Sequence, residues 1–192
     1  KLEAFERMLE RHPELLGKVT LLNIVTPAAS GMEIYDSLRE ELDRTVGRIN
    51  GRFSTLDWVP VRYFYRSLPF EDVVAHYAAC GIAWITPLRD GLNLVAKEYI
   101  AARQAVGRPG VLLLSEFAGA AVELHGALLV NPYDANAMSE TLYQALTMGA
   151  DEVAYRAARL GMIVEEHDVA RWGEGFLAAL APRAVVDERP AA

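Results

Sequence analysis

Asp90, Gly91 and Glu98 are the residues whose types and spacing most directly offer chemistry. They lie in Thr86-Pro87-Leu88-Arg89-Asp90-Gly91-Leu92-Asn93-Leu94-Val95-Ala96-Lys97-Glu98-Tyr99. An apolar run, Gly81 to Ile85, precedes this stretch, and a helix-like run to about Arg103 follows the turn at Pro87 to Gly91. A strand, an Asp-Gly turn and a helix with a Glu in its second turn can hold a sugar nucleotide. Gly91 would let the backbone approach a ligand closely. The N–H groups of Leu92, Asn93 and Leu94 would be donors at a helix start, with the positive end of the dipole behind them, which suits a diphosphate. Asp90 could accept hydrogen bonds from sugar hydroxyls. Glu98 falls four residues after Leu94, on one helix face, and could take a ribose diol. The plainer alternative is an N-capping Asp90 and a solvated Glu98 in an ordinary α/β turn.

The elements that must position these residues alternate. Leu2, Phe5, Met8 and Leu9 recur at helical spacing up to His12-Pro13. Lys18 to Thr26 reads as a buried strand and Pro27 to Gly31 as a loop. Ile34, Leu38, Leu42, Val46 and Ile49 predict a long helix that ends at the Asn50-Gly51 turn signal. Further strands are expected at Val59–Tyr65, Gly81–Thr86, Val111–Ser115 and Ala127–Val130. Helices are expected at Phe70–Ala79, Leu92–Arg103, Ala135–Met148, Asp151–Glu165 and Asp168 to about Leu180, with a short helical piece at Ala118–Glu123. Short continuous apolar strands between helices imply an α/β fold, a Rossmann-like parallel sheet with helices on both faces. Ligands of such a sheet bind beyond the carboxyl ends of its strands. The loops at Pro27–Gly31, Arg66–Pro69, Pro87–Gly91 and Glu116–Gly119 are therefore expected on one edge.

The chain has 192 residues, 52% hydrophobic and 23% charged, with net charge -7. That composition is globular, and the acidity without a basic cluster argues against a nucleic-acid surface. No apolar run reaches transmembrane length, so no membrane partner is expected. Cys80 is the lone cysteine, which fits a reducing compartment; the expected location is the cytoplasm. The chain opens at Lys1 inside a helical pattern, so a longer parent is expected.

Several chemistries lack their signatures. There is no G-x-G-x-x-G and no Walker A loop. His12, His76, His125 and His167 lack metal-ligand spacing. Ser115 follows a strand without the glycines of a nucleophile elbow. Trp58, Trp84 and Trp172 are too scattered for a stacking platform, and Asp134 reads as an N-cap. What remains is a binding edge without a self-sufficient nucleophile, metal or cofactor.

The stretch from Thr86 to Tyr99 resembles the signature of the trehalose-phosphate synthase family of retaining glycosyltransferases. Ser115-Glu116-Phe117-Ala118-Gly119-Ala120-Ala121, Leu129-Val130-Asn131-Pro132-Tyr133-Asp134 and Gly47-Arg48-Ile49-Asn50-Gly51-Arg52-Phe53 agree with it, in order along nearly the whole chain. The resemblance implies the GT-B architecture, two Rossmann-like domains across a cleft. Residues 1–181 would be the C-terminal, donor-binding domain with its last helices, and 182–192 a loose tail. The N-terminal acceptor domain and an Arg-x-Asp-Tyr-x-Lys-Gly stretch with a basic pair for the diphosphate would lie outside this chain. By the same resemblance Asp90 holds glucose hydroxyls near the reacting carbon, and Gly91, Leu92, Asn93 and Leu94 hold sugar and phosphates. Glu98 binds the ribose, and Val25, Leu68 and Val73 line the base pocket. Attack on the donor face that the leaving phosphate occupies, with no protein nucleophile, agrees with finding none.

The family's trehalose-forming members carry an arginine for the glucose 6-phosphate phosphate at the position of Ser30. A hydroxyl does not replace a bidentate guanidinium. Ile24-Val25-Thr26-Pro27-Ala28-Ala29-Ser30-Gly31-Met32 and Ala83 to Leu92 resemble more closely the glucosylglycerol-phosphate synthase branch, which moves glucose from ADP-glucose to glycerol 3-phosphate. Arg66 is a candidate for the acceptor phosphate, or simply a surface arginine. UDP-glucose with glucose 6-phosphate remains the alternative pair, and a catalytically silent module the alternative of another class. Assembly as a homo-oligomer is left open.

Overall fold

Val111–Ser115 (β4) sits at the centre of the molecule because every one of its five side chains is apolar or small and all are buried. The computed structural model describes residues 1–27 and 33–180. β4 pairs in parallel with Ile82–Ile85 (β3) on one side and Leu128–Val130 (β5) on the other. Successive side chains of a strand point to opposite faces. Val111 and Leu113 therefore enter one core with Trp84, Leu128 and Val130, while Leu112 and Leu114 enter a second core.

Helices cover both faces. The first core is closed by Leu2–Arg11 (α1), Glu33–Phe53 (α2) and Ala135–Leu146 (α5), through Phe5, Met8, Leu9, Ile49, Met138 and Leu142. The second is closed by Leu94–Ala105 (α4) and Ala150–Glu166 (α6), through Ala96, Tyr99, Ile100 and Leu160, with Tyr77 of Phe70–Ala79 (α3) at its margin. Glu6 of α1 is buried because Arg48 of α2 pairs with it, and Arg52 of α2 also pairs with Glu10. A last helix, Val169–Leu180 (α7), buries no side chain and leaves Val169, Trp172 and Leu177 exposed.

The expected α/β fold, parallel strands with helices on both faces, is borne out, its strands lying in two parallel ladders: Leu21–Val25 (β1) pairs with Val61–Tyr65 (β2), apart from the β3-β4-β5 ladder. Two local expectations need correction. β1 is half-buried throughout, not buried, because among the described residues it is paired with β2 alone. The second correction concerns Asn50-Gly51, which does not end α2; the helix runs to Phe53. Asn50 is used instead as a clamp on β2. Its Nδ2 donates to the Val61 carbonyl at 2.9 Å and its Oδ1 accepts from the Val61 N–H at 3.0 Å. The strands and helices otherwise begin and end within a few residues of the sequence reading, α3 at the same residues.

Candidate functional site

Between β3 and α4 the chain is folded around one carboxylate. Asp90 Oδ1 accepts from the backbone N–H of Leu92 at 3.0 Å and of Asn93 at 3.1 Å, and Oδ2 accepts from Asn93 Nδ2 at 2.9 Å. An Asp whose side chain bonds the backbone two and three residues on closes a turn of its own. The Leu92 N–H foremost, then the Asn93 amide, hold the Asp90 carboxyl below its ordinary value. Asn93 takes a left-handed conformation, φ 68°, and is buried. Its Oδ1 accepts from the Ala96 N–H at 3.0 Å, so Asn93 is the N-cap of α4.

This corrects the picture of three free amides on a helix beginning at Leu92. The helix begins at Leu94, and the Leu92 and Asn93 N–H groups are taken by Asp90. The Asp carboxylate is close and geometrically matched, so it satisfies donors that would otherwise face solvent. Of the three, only the Leu94 amide has no protein acceptor among the described residues. Asp90 is not the N-cap of α4 and is not unpartnered. It shapes the turn and retains part of its accepting capacity.

A second loop buttresses the first. The Phe117 carbonyl accepts from Asp90 N–H at 3.3 Å, Gly119 N–H donates to the Asp90 carbonyl at 2.8 Å, and Ala120 N–H donates to the Leu92 carbonyl at 2.8 Å. Residue 119 must be glycine for packing reasons. A Cβ there would overlap the Gly91 carbonyl oxygen and lie 2.6 Å from the Gly91 carbonyl carbon. At Gly91 itself a Cβ would meet no protein atom within 4 Å. Gly91, Leu92 and Leu94 are all exposed at this edge.

Tyr99 and Arg103 set where α4 lies. The Tyr99 hydroxyl donates to the Gly81 carbonyl at 2.9 Å, and Arg103 donates to the Ala78 and Pro109 carbonyls at 2.6 and 2.7 Å. One turn earlier, half-buried Glu98 accepts from the Tyr77 hydroxyl at 3.4 Å. Burial first, then the Glu98 charge, push the Tyr77 phenol up to about 12, so it remains a donor. Lys97 pairs with Glu123 at 2.7 Å.

A cavity of about 560 Å³ adjoins this turn, lined among others by Ile24, Thr26, Val73, Tyr77, Thr86 and Asn93. The remaining sequence candidates are scattered around it. Val73 lines it, whereas Val25, one residue on from Ile24, lines a separate hollow with Leu38 and Glu41. Leu68 is half-buried and lines neither. The Arg66 guanidinium lies over the Phe64 ring, 5.3 Å from its centroid. Ser30 lies outside the described residues, as does the tail 182–192. The sequence reading passed over Gly119 and Tyr77 as site residues, and over the left-handed Asn93. The Asp90-to-Asn93 spacing was the available signal for the turn. Among the described residues no acidic, His or Cys cluster could hold a metal, and no helix is long and apolar enough to cross a membrane.

A parallel α/β domain with two cores and helices on both faces, with a cavity lined by Thr86, Pro87 and Asn93 after β3, has the Rossmann-like architecture. The chain belongs to glycosyltransferase family 20, whose profile matches residues 1–182. It is 56% identical over 94% of its length to the glucosylglycerol-phosphate synthase of Pseudomonas anguilliseptica, and spans 24% of that protein. It is 43% identical, also over 94%, to the UDP-forming α,α-trehalose-phosphate synthase of Pichia angusta, spanning 38% of it. The crystal structure of the UDP-forming α,α-trehalose-phosphate synthase of Burkholderia xenovorans in complex with glucose-6-phosphate superposes with a TM-score of 0.87. It is 40% identical, and the match covers 94% of this chain and 40% of that one. The chain thus spans between about a quarter and two fifths of the proteins it matches, and the Rossmann-like fold of GT-B trehalose-phosphate synthases is borne out.

Proposed function

We propose that residues 1–181 are the donor-binding domain of a retaining glucosyltransferase that moves glucose from ADP-glucose to glycerol 3-phosphate, giving glucosylglycerol phosphate. The observation that carries this reading is the 56% identity to a glucosylglycerol-phosphate synthase against 43% to a trehalose-phosphate synthase over the same 94% of the chain. Ser30, where the trehalose-forming enzymes resemble one another in carrying arginine, supports it. Acceptor and donor meet only in the whole protein.

In this reading the glucosyl donor lies along Asp90–Leu94. The open space at Gly91 lets sugar and diphosphate approach the backbone, and the Leu94 amide points a donor at a phosphate oxygen. An ionised carboxylate has about four lone-pair sites. The turn takes three from Asp90, and the fourth, on Oδ2, accepts from a glucose hydroxyl. Glu98, steadied by Tyr77, accepts from the ribose diol, and Val73 lies beside the base. Val25 and Leu68 belong to the base pocket only if the donor reaches past the 560 Å³ cavity. Exposed Arg66 meets the acceptor phosphate by releasing Phe64, and Ser30 is the other residue assigned to the acceptor. Catalysis then rests on positioning and on stabilising the departing diphosphate.

The test supplies the full-length protein with ADP-glucose or UDP-glucose, each with glycerol 3-phosphate or glucose 6-phosphate, and follows nucleoside diphosphate release. Turnover with ADP-glucose and glycerol 3-phosphate is the expected result. Turnover only with glucose 6-phosphate overturns the acceptor, and turnover with no pair, alongside a folded protein, overturns the enzyme reading.

A further inference from the structure

A second hollow, of about 230 Å³, opens between α4 and α6. Tyr99, Ile100 and Arg103 of α4 line it, with Ala157 and Ala158 of α6 and the loop Gly107 to Gly110 that leads into β4. β3 and β4 are parallel, so this loop before β4 and the Asp90 turn after β3 lie at opposite ends of one ladder. Among the described residues, Tyr99 alone lines both this hollow and the 560 Å³ cavity.

Charge in the hollow is one-sided. Arg103 and Arg108 line it, and no Asp or Glu does. Arg103 is only 9% exposed. A guanidinium carries five N–H donors. Two are taken by the Ala78 and Pro109 carbonyls, at 2.6 and 2.7 Å, and Nε is buried without a partner. Among the described residues Arg103 forms no ion pair. Carbonyl dipoles offset part of such a charge, but a buried cation without a counter-ion is costly. Buried Glu6, by contrast, has Arg48. The loop is also pressed onto the cation: a Cβ at Gly110 would overlap the Tyr99 hydroxyl and lie 3.1 Å from Arg103 Nε. Arg108 is exposed beside it, its backbone N–H donating to the Arg103 carbonyl at 3.1 Å. Its guanidinium likewise forms no ion pair among the described residues.

We propose that this hollow is a binding site for a small amphipathic anion, a carboxylate carried on a single apolar ring. An engineered apolar cavity of about 150 Å³ takes up benzene, so 230 Å³ holds a ring and its carboxylate. The carboxylate meets Arg108 and the N–H groups that Arg103 has left over, and supplies the missing counter-charge. The ring lies against Ile100, Ala157 and Ala158. The Tyr99 hydroxyl is engaged by the Gly81 carbonyl, and no carboxylate or thiol lines the hollow. The anion is therefore held rather than converted. Its binding does not depend on the transferase reading.

Ligand-observed ¹⁹F NMR of the full-length protein with 4-(trifluoromethyl)benzoate tests this, with 4-(trifluoromethyl)benzamide as the neutral probe of the same shape. The expected Kd for the benzoate is about 1 mM or below. The benzamide should bind about tenfold more weakly, for want of charge-assisted bonds. Ala158→Leu, which extends a side chain from α6 into the hollow, should weaken the benzoate about tenfold. Arg108→Gln should weaken it about 3- to 10-fold. Both positions are exposed, so thermal unfolding of the two variants should match that of the parent protein. Saturating ADP-glucose or UDP-glucose should leave the probe bound. No binding of the benzoate, equal affinity for the benzamide, or unchanged affinity in either variant overturns the proposal. Displacement by a nucleotide sugar would place the probe in the donor crevice and overturns it equally.

Discussion

Replacing Gly119 by alanine should damage the Asp90 turn through a single methyl group. The added Cβ would overlap the Gly91 carbonyl oxygen, lie 2.6 Å from the Gly91 carbonyl carbon, and lie 3.1 Å from the Leu92 nitrogen. All three are backbone atoms, so no side-chain rotation relieves the clash. Carbon atoms pack best at about 3.5 to 4.0 Å, so the turn must retreat by about 1 Å. Gly119 does not sit at positive φ, so the cost is steric alone. Overpacking of this kind costs about 1–3 kcal/mol, and the Gly119-to-Asp90 hydrogen bond is strained with it. A displacement of about 1 Å at a positioning loop costs roughly 100-fold in rate. The assay is kcat/KM for nucleoside diphosphate release by the full-length enzyme, measured beside thermal unfolding. Gly91→Ala is the partner experiment. Its Cβ meets no protein atom within 4 Å, so stability should hold while donor KM rises, because the methyl group occupies the space assigned to the donor. Gly119→Ala with unchanged kcat/KM, or Gly91→Ala with unchanged donor KM, would refute the placement of the donor along this turn.

Further outcomes follow from the same turn. Asn93→Ala places a Cβ residue without a polar side chain at φ 68° and removes the cap of α4, which together should cost about 2–3 kcal/mol in denaturant unfolding. Asn93→Gly should recover most of that, and equal losses for the two variants would remove the left-handed backbone from the explanation. Glu98→Ala should weaken donor binding roughly 10- to 100-fold by the loss of charge-assisted hydrogen bonds, and Tyr77→Phe only about 2- to 5-fold; an unchanged donor Kd in Glu98→Ala takes Glu98 out of the site. For Asp90 the folded value is depressed, so its contribution is present above the unfolded carboxyl range near 4 and is lost as pH falls through the lower folded value. Acid unfolding of Asp90→Asn should therefore be shallower over that window than that of the parent protein, and superimposable profiles would contradict the hydrogen-bond count at this carboxylate.

What could be read in the sequence was periodicity. Val111 to Ser115 is an unbroken apolar run closed by a small serine, and it is the central strand; Phe70 to Ala79 is a helix at the residues expected. What escaped were choices between equivalent local signals, decided by distant partners. Asn50-Gly51 is as good a turn signal as any in the chain, yet β2 supplies the Val61 amide and carbonyl that hold Asn50 within a continuing helix. Asp90 and Asn93 are both capping residues. Which of them caps α4 depends on whether the backbone at Asn93 turns left-handed, and residues 117 to 120, bonded across to the turn, help fix that. Gly119 carried no signal of its own, since the reason for it is a carbonyl 28 positions earlier in the chain.

The half-buried state of β1 joins fold to function. An isolated two-stranded ladder is marginal in water, and β1-β2 is held here by α2, the Asn50 clamp and the core beneath α1 rather than by a sheet. The cavity beside β1 is lined by Ile24 and Thr26 on one side and by Thr86, Pro87 and Asn93 on the other, next to the Asp90 turn. A donor seated there would touch both ladders, through Ile24 and Thr26 beside β1 and through Thr86 and Asn93 after β3. Donor binding and the stability of β1-β2 should therefore be coupled: a saturating nucleotide sugar should slow exchange at Leu21–Val25 and Val61–Tyr65 as well as at Asp90–Leu94. Slowing confined to Asp90–Leu94 would show that the donor touches the turn without drawing the two ladders together.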